Sequence, residues 1–332
     1  MDQYSFLRNR LSQINENNFD EIALEVFKLQ AKENQVYARF LSLYGVNLDR
    51  IKAIQDIPFL PIGFFKSHEV KTGNWKTQKI FRSSGTTATG FSCHHVRELS
   101  FYLEYAAQSY EYRFGPLQGT HFFAVLPSYS ERDDSSLVAM AAYFIEKTES
   151  PFSGFYLGET DRLRLALNAA LATGRPVVIL GVTFALLDLA QSGFDFSGVR
   201  LMETGGMKGR RKEMIRQELY AALQTSNPAE LASEYGMTEL YSQAYAGADS
   251  IYQCSRLMKV LIREINDPLS PSPHGSTGLI HVVDLANLDT CSFIATQDLG
   301  RFVGQGFQVL GRADYSDVRG CSLMAGQGGL DF

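Results

Sequence analysis

Apolar positions in the first 250 residues repeat in the order strand, turn and helix. Phe122–Leu126 is an unbroken apolar run, which predicts a buried strand, and a helix is predicted from about Ser135 to Glu146. The same order recurs further along the chain: Val177–Leu180 predicts a parallel strand, Gly181 a turn and Phe184–Ala190 a helix. Repeated units of this kind predict an α/β fold built on a mainly parallel sheet flanked by helices.

Two further helices are predicted outside these units. An amphipathic pattern predicts one long helix that is capped by Asn18 and Asp20, runs to about Leu43 and is ended by Gly45. Arg97–Tyr112 is rich in aromatic residues and is also expected to be helical.

The pattern changes beyond Ser250, where apolar and polar residues alternate. Gly278–Val283 and Arg301–Leu310 are each predicted to form a strand, and the proline-rich stretch Asp267–Gly278 is predicted to be a surface loop. We therefore expect an α/β body up to about residue 250 and a β-rich subdomain over about 251–311.

Composition narrows the classes of protein that fit. The chain has 332 residues, is 45% hydrophobic and carries a net charge of −5, which argues against a nonspecific binder of nucleic acid or anionic membranes. Four scattered cysteines without a CxxC pair favour free thiols in a reducing cytoplasm. The longest apolar stretch, Val177–Leu187, is about half of the roughly 20 residues that a membrane span needs. We expect a cytoplasmic enzyme without integral membrane association.

The segment Phe81–Gly90, FRSSGTTATG, is the strongest candidate for chemistry. Its hydroxyl groups and its glycines suit a backbone nest that binds phosphate. It lacks the lysine of a Walker A loop, and by itself such a cluster is also typical of an ordinary surface loop. The candidate phosphate-binding residues are Ser83, Ser84, Gly85, Thr86 and Thr87.

Four downstream motifs favour the phosphate-binding interpretation of the loop over an ordinary surface loop. They are LMETGG at 201–206, ASEYGMTEL at 232–240, TQDLGR at 296–301 and GRADYSDVRG at 311–320. Together with the loop, and in this order, they resemble the adenylate-forming superfamily of acyl-CoA synthetases, luciferases and peptide-synthetase adenylation domains. The resemblance runs from about Pro58 to Cys321 and implies the large N-terminal domain of that superfamily.

The resemblance implies ATP and Mg²⁺ as cofactors. The hydroxyl-rich loop would hold the β- and γ-phosphates, Thr238 the α-phosphate, and Glu239 the Mg²⁺ ion, a hard cation suited to carboxylate oxygens. Asp298 would accept hydrogen bonds from the ribose with help from Arg312. The residues at the adenine would be Glu203, Gly205, Gly206, Tyr235 and Gly236.

One departure sharpens the family assignment. Superfamily members continue after the hinge motif with a mobile C-terminal domain, whereas this chain ends twelve residues after Gly320, so we expect that domain to be missing. The combination resembles the acyl-protein synthetase (LuxE) family, close to the phenylacetate-CoA ligase branch. That resemblance maps the acyl acceptor onto Cys321, in a hinge remnant and tail over 312–332. It implies that a fatty or other carboxylic acid is adenylated, transferred to Cys321 as a thioester and delivered to an acyl reductase partner.

Other interpretations remain open. The chain could be an acyl-CoA ligase completed by a partner polypeptide, or a silent nucleotide-binding protein. Lys66 resembles a lysine that precedes the phosphate loop in the phenylacetate ligase branch, although it could be a solvated surface lysine. His94 and His95 are adjacent, so on a strand their side chains point to opposite faces and cannot easily share a metal ion. One of them is expected to face the site and the other to pack.

Overall fold

The structure is a computed structural model that describes residues 3–83, 90–128, 130, 132–205 and 216–313. Its α-helices are α1 (Gln3–Leu11), α2 (Phe19–Glu33), α3 (Gln35–Leu43), α4 (Phe64–Ser67), α5 (Leu99–Phe114), α6 (Ser136–Lys147), α7 (Thr160–Leu171), α8 (Thr183–Gln191) and α9 (Arg216–Gln224). Short 3₁₀ helices are formed by Leu48–Arg50, Ile54–Asp56 and Leu285–Asn287.

The strands divide into a β-rich end, a central sheet and a separate hairpin. In chain order they are β1 (Leu60–Pro61), β2 (Lys79–Arg82), β3 (Cys93–Val96), β4 (His121–Val125), β5 (Gly154–Phe155), β6 (Val177–Val182), β7 (Arg200–Thr204), β8 (Glu230–Tyr235), β9 (Ala244–Ala246), β10 (Gln253–Cys254), β11 (Met258–Arg263), β12 (Gly278–Asp284), β13 (Phe293–Val303) and β14 (Gly306–Arg312).

The larger sheet has seven strands in the order β10-β9-β8-β7-β6-β4-β5. The five strands from β5 to β8 are parallel, and β9 and β10 extend the sheet in antiparallel fashion. Helix α6 follows β4 and α8 follows β6, which confirms the predicted strand–helix units and the mainly parallel sheet. Ser135 caps α6 by accepting a hydrogen bond from the backbone N of Val138 at 3.4 Å.

The expected turn at Gly181 is wrong, because this residue lies within β6 and α8 begins directly after the strand. A Cβ atom at Gly181 would lie 2.6 Å from Leu186 Cδ2. The glycine therefore lets α8 pack closely against its own strand.

The second sheet has the order β1-β13-β12-β11, and β14 also pairs with β13. This sheet contains most of the described chain beyond residue 250, as the alternating pattern predicts. The single strand predicted over Arg301–Leu310 is instead a hairpin, in which β13 ends at Val303 and β14 begins at Gly306. Gly304 adopts a positive φ of 57° in the connecting turn, a conformation that favours glycine.

The prediction of one long N-terminal helix is wrong in one respect. The structure has two helices there, α2 and α3, which Asn34 separates. Asn34 has extended backbone angles, and its side-chain oxygen accepts a hydrogen bond from the backbone N of Tyr37. The same side chain donates to the carbonyl of Thr290 at 2.8 Å. Asn18 occupies the N-cap position of α2 but does not cap it, since its side chain accepts from the backbone N of Asn15.

Buried polar side chains join the N-terminal helices to the connection between β12 and β13. Gln30 donates to the carbonyls of Asn287 and Leu288, and Tyr4 donates to Asp289 at 2.5 Å. In the described part of the chain, Cys93, Cys254 and Cys291 are free thiols, as expected. No helix there is long and apolar enough to cross a membrane.

Candidate active site

The stem of the phosphate-loop candidate is the hairpin of β2 and β3. Ser83 donates its backbone N–H to the carbonyl of Ser92 at 3.1 Å, and its hydroxyl accepts from the backbone N of Ser92 at 3.0 Å. These two bonds bring the ends of the loop together. Ser84, Gly85, Thr86 and Thr87 lie outside the described residues, so their predicted roles remain predictions.

Glu239 is buried directly beside this stem, with 5% of its surface exposed. Its carboxyl group is hydrogen-bonded to the side chain of Ser92. Burial raises the pKa of Glu239, while the bond from Ser92 and the positive charges of Lys66 and Arg312 act in the opposite direction. Lys66 is exposed on α4, a helix that packs on β3 through a ring contact of 5.7 Å between Phe65 and His94. The site thus places one buried carboxylate among cations and hydroxyl groups.

His94 fixes the backbone of Thr238. Its Nδ1 lies 2.7 Å from the Thr238 carbonyl, which only accepts, so Nδ1 carries the proton. Burial lowers the pKa of His94 to about 4 and keeps the ring neutral. Its Nε2 therefore accepts from the hydroxyl of Thr290 at 3.1 Å. His95 lies on the opposite face of β3, half-buried beside Thr77, which confirms the predicted alternation.

Asp284, at the end of β12, and Asn287, in the 3₁₀ helix after it, hold the turn that contains Glu239. Asn287 donates its side-chain N–H to the carbonyl of Glu239 at 2.8 Å. Asp284 accepts four hydrogen bonds, from the backbone N–H groups of Tyr241, Ser242 and Ala286 and from the Ser242 hydroxyl, at 2.7 to 3.1 Å. Both side chains are fully buried. We call residues 238–242 the site turn, because its backbone is fixed on both sides of Glu239.

Tyr235, Asp298 and Arg312 form the second part of the site. The Tyr235 hydroxyl donates to the Asp298 carboxylate at 2.8 Å, and Arg312 Nε lies 3.8 Å from the same carboxylate. Burial raises the pKa of Asp298, against the hydrogen bond from Tyr235 and the charge of Arg312. Arg312 also donates to Gln297 at 2.8 Å. The pairing of β13 with β14 sets this geometry, since Asp298 and Arg312 are direct partners.

The adenine candidates lie at the carboxyl ends of β7 and β8. Glu203 is buried, and its two carboxylate oxygens accept from Thr183 at 2.9 Å and Ser233 at 2.5 Å. The Glu203 carboxylate therefore joins β7 to α8 and to β8, and it does not point outward. Gly205 is exposed with a positive φ of 77°, and Gly206 lies outside the described residues.

Gly236 follows β8 at a point where a side chain would displace the carboxyl group of Glu234. A Cβ atom there would lie 2.1 Å from a carboxylate oxygen of Glu234, which in turn accepts from the Thr204 hydroxyl.

A cavity of about 400 Å³ lies on the Tyr235 side of the sheet, where Tyr220 contacts Ser233 and Phe307 packs edge-on against Tyr235. It is lined by Tyr220, Ala248, Asp249, Ser250 and residues 308–310.

The site also contains residues that sequence reasoning missed. Ser92, Asp284 and Asn287 carry no motif signal, and His94 was expected only to pack or to face the pocket. The one available hint was a polar residue at the end of an apolar strand, which fits Asp284. Among the described residues, no group of three or more His, Cys, Asp or Glu side chains is placed to share a metal ion. A lone carboxylate such as Glu239 still suits Mg²⁺, which proteins often hold through one or two carboxylates and substrate phosphates.

A family model for "Acyl-protein synthetase, LuxE" matches residues 136–328, which is more than half of the chain. The chain belongs to this family. Among curated proteins, no sequence matches it significantly.

Solved structures share its fold. A 2-hydroxyisobutyryl-CoA ligase in complex with 2-HIB-AMP and CoA superposes with a TM-score of 0.68 over 90% of this chain and 69% of its own, at 13% identity. ATP-bound MatB from Rhodopseudomonas palustris gives 0.53 over 70% of this chain and 47% of its own, at 14% identity. The amide bond synthetase McbA from Marinactinospora thermotolerans gives 0.50 over 71% and 48%, at 17% identity. The chain thus spans about half the length of the latter two, and it has the fold of the large domain of adenylate-forming enzymes.

Proposed function

We propose that this protein activates a carboxylic acid with ATP to form an acyl-adenylate and pyrophosphate. One observation carries the proposal: Ser92 links the stem of the hydroxyl-rich loop to the buried carboxyl group of Glu239. Two motifs more than 140 residues apart in the sequence are thereby brought into one site. Lys66 and Arg312 add positive charge to it. A buried carboxylate among hydroxyls and cations suits a metal–polyphosphate complex.

The proposed first step joins two anions. A carboxylate oxygen of the acid attacks the α-phosphorus of ATP, and the bond from that phosphorus to pyrophosphate breaks. Glu239 would hold Mg²⁺, which supplies neutralising charge when bound. Thr238 would contact the α-phosphate from a turn that His94 and Asp284 keep rigid. Preorganised groups of this kind stabilise developing charge without having to reorganise.

The nucleotide would lie along the other arm of the site. Asp298 would accept hydrogen bonds from the ribose hydroxyls, because its carboxylate is already oriented by Tyr235 and Arg312. The cavity lined by Tyr220 and residues 308–310 is large enough to receive a base.

The proposed second step transfers the acyl group to Cys321. Its thiolate attacks the acyl carbon, the bond to AMP breaks, and a thioester forms that remains reactive enough for an acyl reductase partner. Cys321 lies outside the described residues. It follows Arg312 by nine residues, a length that can reach about 30 Å when extended. Since Arg312 is itself part of the site, the tail starts close enough for the thiol to return to it.

Intact mass spectrometry tests both steps together. The protein is incubated with Mg²⁺, ATP and a panel of fatty and aryl acids. We expect an ATP-dependent acyl increment that neutral hydroxylamine removes and that is absent in Cys321→Ser. The half-buried thiol beside the loop provides a matched control, because Cys93→Ser should retain the increment.

Two other outcomes would contradict parts of the proposal. Acid-dependent pyrophosphate release without an increment would exclude Cys321 as the acceptor and indicate an external thiol such as coenzyme A. ATP binding without any acid-dependent release would contradict adenylation itself.

A further inference from the structure

Residues 287–290, in the connection between β12 and β13, contact the site turn and the N-terminal helices at once. We call this segment the connector. Toward the site, Asn287 donates to the carbonyl of Glu239 at 2.8 Å, and Thr290 donates its hydroxyl to Nε2 of His94 at 3.1 Å. His94 in turn donates to the carbonyl of Thr238 at 2.7 Å. All four connector residues are at most 1% exposed, so these bonds are shielded from water.

Helix α1 holds the connector from the other side. Tyr4 donates its hydroxyl to Oδ1 of Asp289 at 2.5 Å, and Arg97 Nη1 lies 3.3 Å from the same oxygen. Arg97 also lies over the Tyr4 ring at 4.4 Å, and Arg8 donates to the Tyr4 hydroxyl at 3.3 Å. Burial raises the pKa of Asp289, while Tyr4 and Arg97 act in the opposite direction. The buried carboxylate of Asp289 therefore depends on α1 for one of its donors.

Aromatic packing provides a second path from α1 to the site turn. The guanidinium of Arg8 lies 4.3 Å from the centre of the Phe101 ring in α5, and that ring lies 6.4 Å from the ring of Tyr241. Tyr241 belongs to the site turn, and its ring lies 4.9 Å from that of His94. Burial, and after it the charge of Asp289, raises the pKa of Tyr241 well above its usual value. Helix α1 thus reaches the turn through rings as well as through hydrogen bonds.

We propose that α1 and the connector position the site turn for adenylation, with Tyr4 and Thr290 as positioning residues. This inference rests on the proposed function, since Thr238 is the group that would contact the α-phosphate. The Thr290 hydroxyl donates to Nε2 of His94 and so selects the tautomer whose Nδ1–H reaches the Thr238 carbonyl. The other tautomer would present a lone pair to that carbonyl, and the bond would be lost. Tyr4 acts one residue earlier, by holding Asp289 and with it the connector.

The first test compares two changes at Thr290 by acid-dependent ATP–pyrophosphate exchange. Thr290→Val keeps the shape of the side chain and removes the hydroxyl, so kcat should fall by about tenfold because a small misplacement near the reacting atoms is costly. KM for ATP should change by less than about twofold, since only the transition state loses a contact. Thr290→Ser restores the donor and should return kcat to within about twofold of the original value. A merely structural threonine would lower the melting temperature and leave kcat, measured well below that temperature, unchanged.

Tyr4→Phe tests the contribution of α1. It removes the donor to Asp289 and keeps the ring beneath Arg97, so kcat should again fall, by about three- to tenfold. Tyr156→Phe is the matched control, because the buried Tyr156 donates to the carbonyl of Phe152 at 2.7 Å, next to β5 at the far edge of the larger sheet. It should lower the melting temperature and leave kcat unchanged. An equal loss of kcat in both tyrosine variants, or no loss in Tyr4→Phe, would overturn the inference.

The fluorescence of Trp75 separates this inference from the proposed function. Trp75 is the only tryptophan in the chain, and its Nε1–H donates to the carbonyl of Thr72 at 3.0 Å. The backbone N–H of Thr72 donates to the carbonyl of Asp289 at 2.8 Å, so Trp75 reports on the connector. Tyr4→Phe should increase the quenching of Trp75 by acrylamide, and Tyr156→Phe should not.

Two results would distinguish the failure of one proposal from the failure of the other. If Tyr4→Phe increases the quenching but the original protein shows no acid-dependent exchange, the link from α1 to the connector stands and adenylation fails. If exchange occurs and Tyr4→Phe changes neither the quenching nor kcat, adenylation stands and the positioning role of α1 fails.

Discussion

Asp284 and Glu239 are two buried carboxylates at the site turn, one bonded to it from β12 and the other within it, yet their surroundings differ. Asp284 accepts four hydrogen bonds, three of them from backbone N–H groups. Glu239 accepts hydrogen bonds from Ser92 and from its own backbone N–H, and the cations that affect it, Lys66 and Arg312, act through their charge. Burial raises the pKa of both groups, but local protein donors compensate Asp284 much more fully.

The difference separates a carboxylate that holds the fold from one that can serve a ligand. A saturated acceptor has no capacity left for a metal ion. A buried acceptor with distant cations is stabilised further when a cation reaches it. The comparison makes opposite predictions for the two residues. Removal of the charge of Glu239 should abolish the activity of the protein, whereas removal of the charge of Asp284 should lower its stability.

The largest effect is expected for Glu239→Gln. ATP–pyrophosphate exchange should fall by about 10² to 10³, the cost of removing one preorganised electrostatic group. The melting temperature should be unchanged or higher, because burial disfavours the charged form of Glu239. A variant that loses stability in parallel with activity would place Glu239 in the same class as Asp284 and so break the comparison.

Asp284→Asn should show the reverse pattern. Its amide group cannot accept on both sides, so buried backbone N–H groups of the site turn lose their partner. We expect the free energy of unfolding to fall by about 3 kcal/mol, measured by urea titration. Asp133→Asn is the matched control, since Asp133 is an exposed partner of Lys79 and should leave the urea midpoint unchanged.

The pH dependence of stability extends the comparison to His94. An unfolded histidine has a pKa of about 6.5, whereas burial lowers that of His94 to about 4. Between these values the unfolded chain binds a proton that the folded chain does not, so stability falls as pH falls. The expected contribution of His94 between pH 7 and pH 5 is a loss of about 2 kcal/mol, measured by urea unfolding against His94→Asn.

His281 is the internal control for that measurement. Burial, with the charge of Arg263, lowers its pKa to about 3, but it lies in β12 away from the site turn. His281→Leu should remove a similar pH-dependent loss of stability and leave nucleotide binding unchanged. If His94→Asn and His281→Leu affected activity equally, the special link between His94 and Thr238 would be contradicted.

The smallest effect is expected for Tyr235→Phe. This change removes the hydroxyl that orients Asp298 and leaves the ring contacts with Tyr252 and Phe307 in place. One such hydrogen bond is worth about 1 kcal/mol, so ATP should bind about fivefold more weakly by calorimetry. Tyr252→Phe, in the adjacent ring of the same cluster, should not change ATP affinity.

Burial explains which parts of the fold could be predicted. The apolar runs at β4 and β6 specify their strands because both are buried on both faces. The hairpin at Gly304 and the break at Asn34 escaped prediction. A two-residue turn hardly interrupts the alternation, and the partner that fixes Asn34 is the distant carbonyl of Thr290.

Contacts between residues that are remote in the sequence also limited the prediction of the site. Resemblance suggested Glu239, Asp298 and Arg312, and the fold brings their charges together. The residues that hold the site turn were missed because their partners are remote: His94 is 144 residues from Thr238, and Asn287 is 48 residues from Glu239. A sequence pattern reports local periodicity and contains no record of such pairs.

The polar contacts between the N-terminal helices and the segment after β12 have a consequence for biosynthesis. Gln30 is 257 residues from Asn287, its hydrogen-bond partner. At ribosomal rates of about 5 to 20 residues per second, α2 therefore exists for roughly 10 to 50 s before its partner is synthesised. During that interval α1 and α3 can pack against α2, but the surface that Phe293 of β13 provides for Phe27 does not yet exist. Part of the apolar face of α2 is thus expected to stay uncovered until the last strands have been synthesised, well after the hydroxyl-rich loop has left the ribosome.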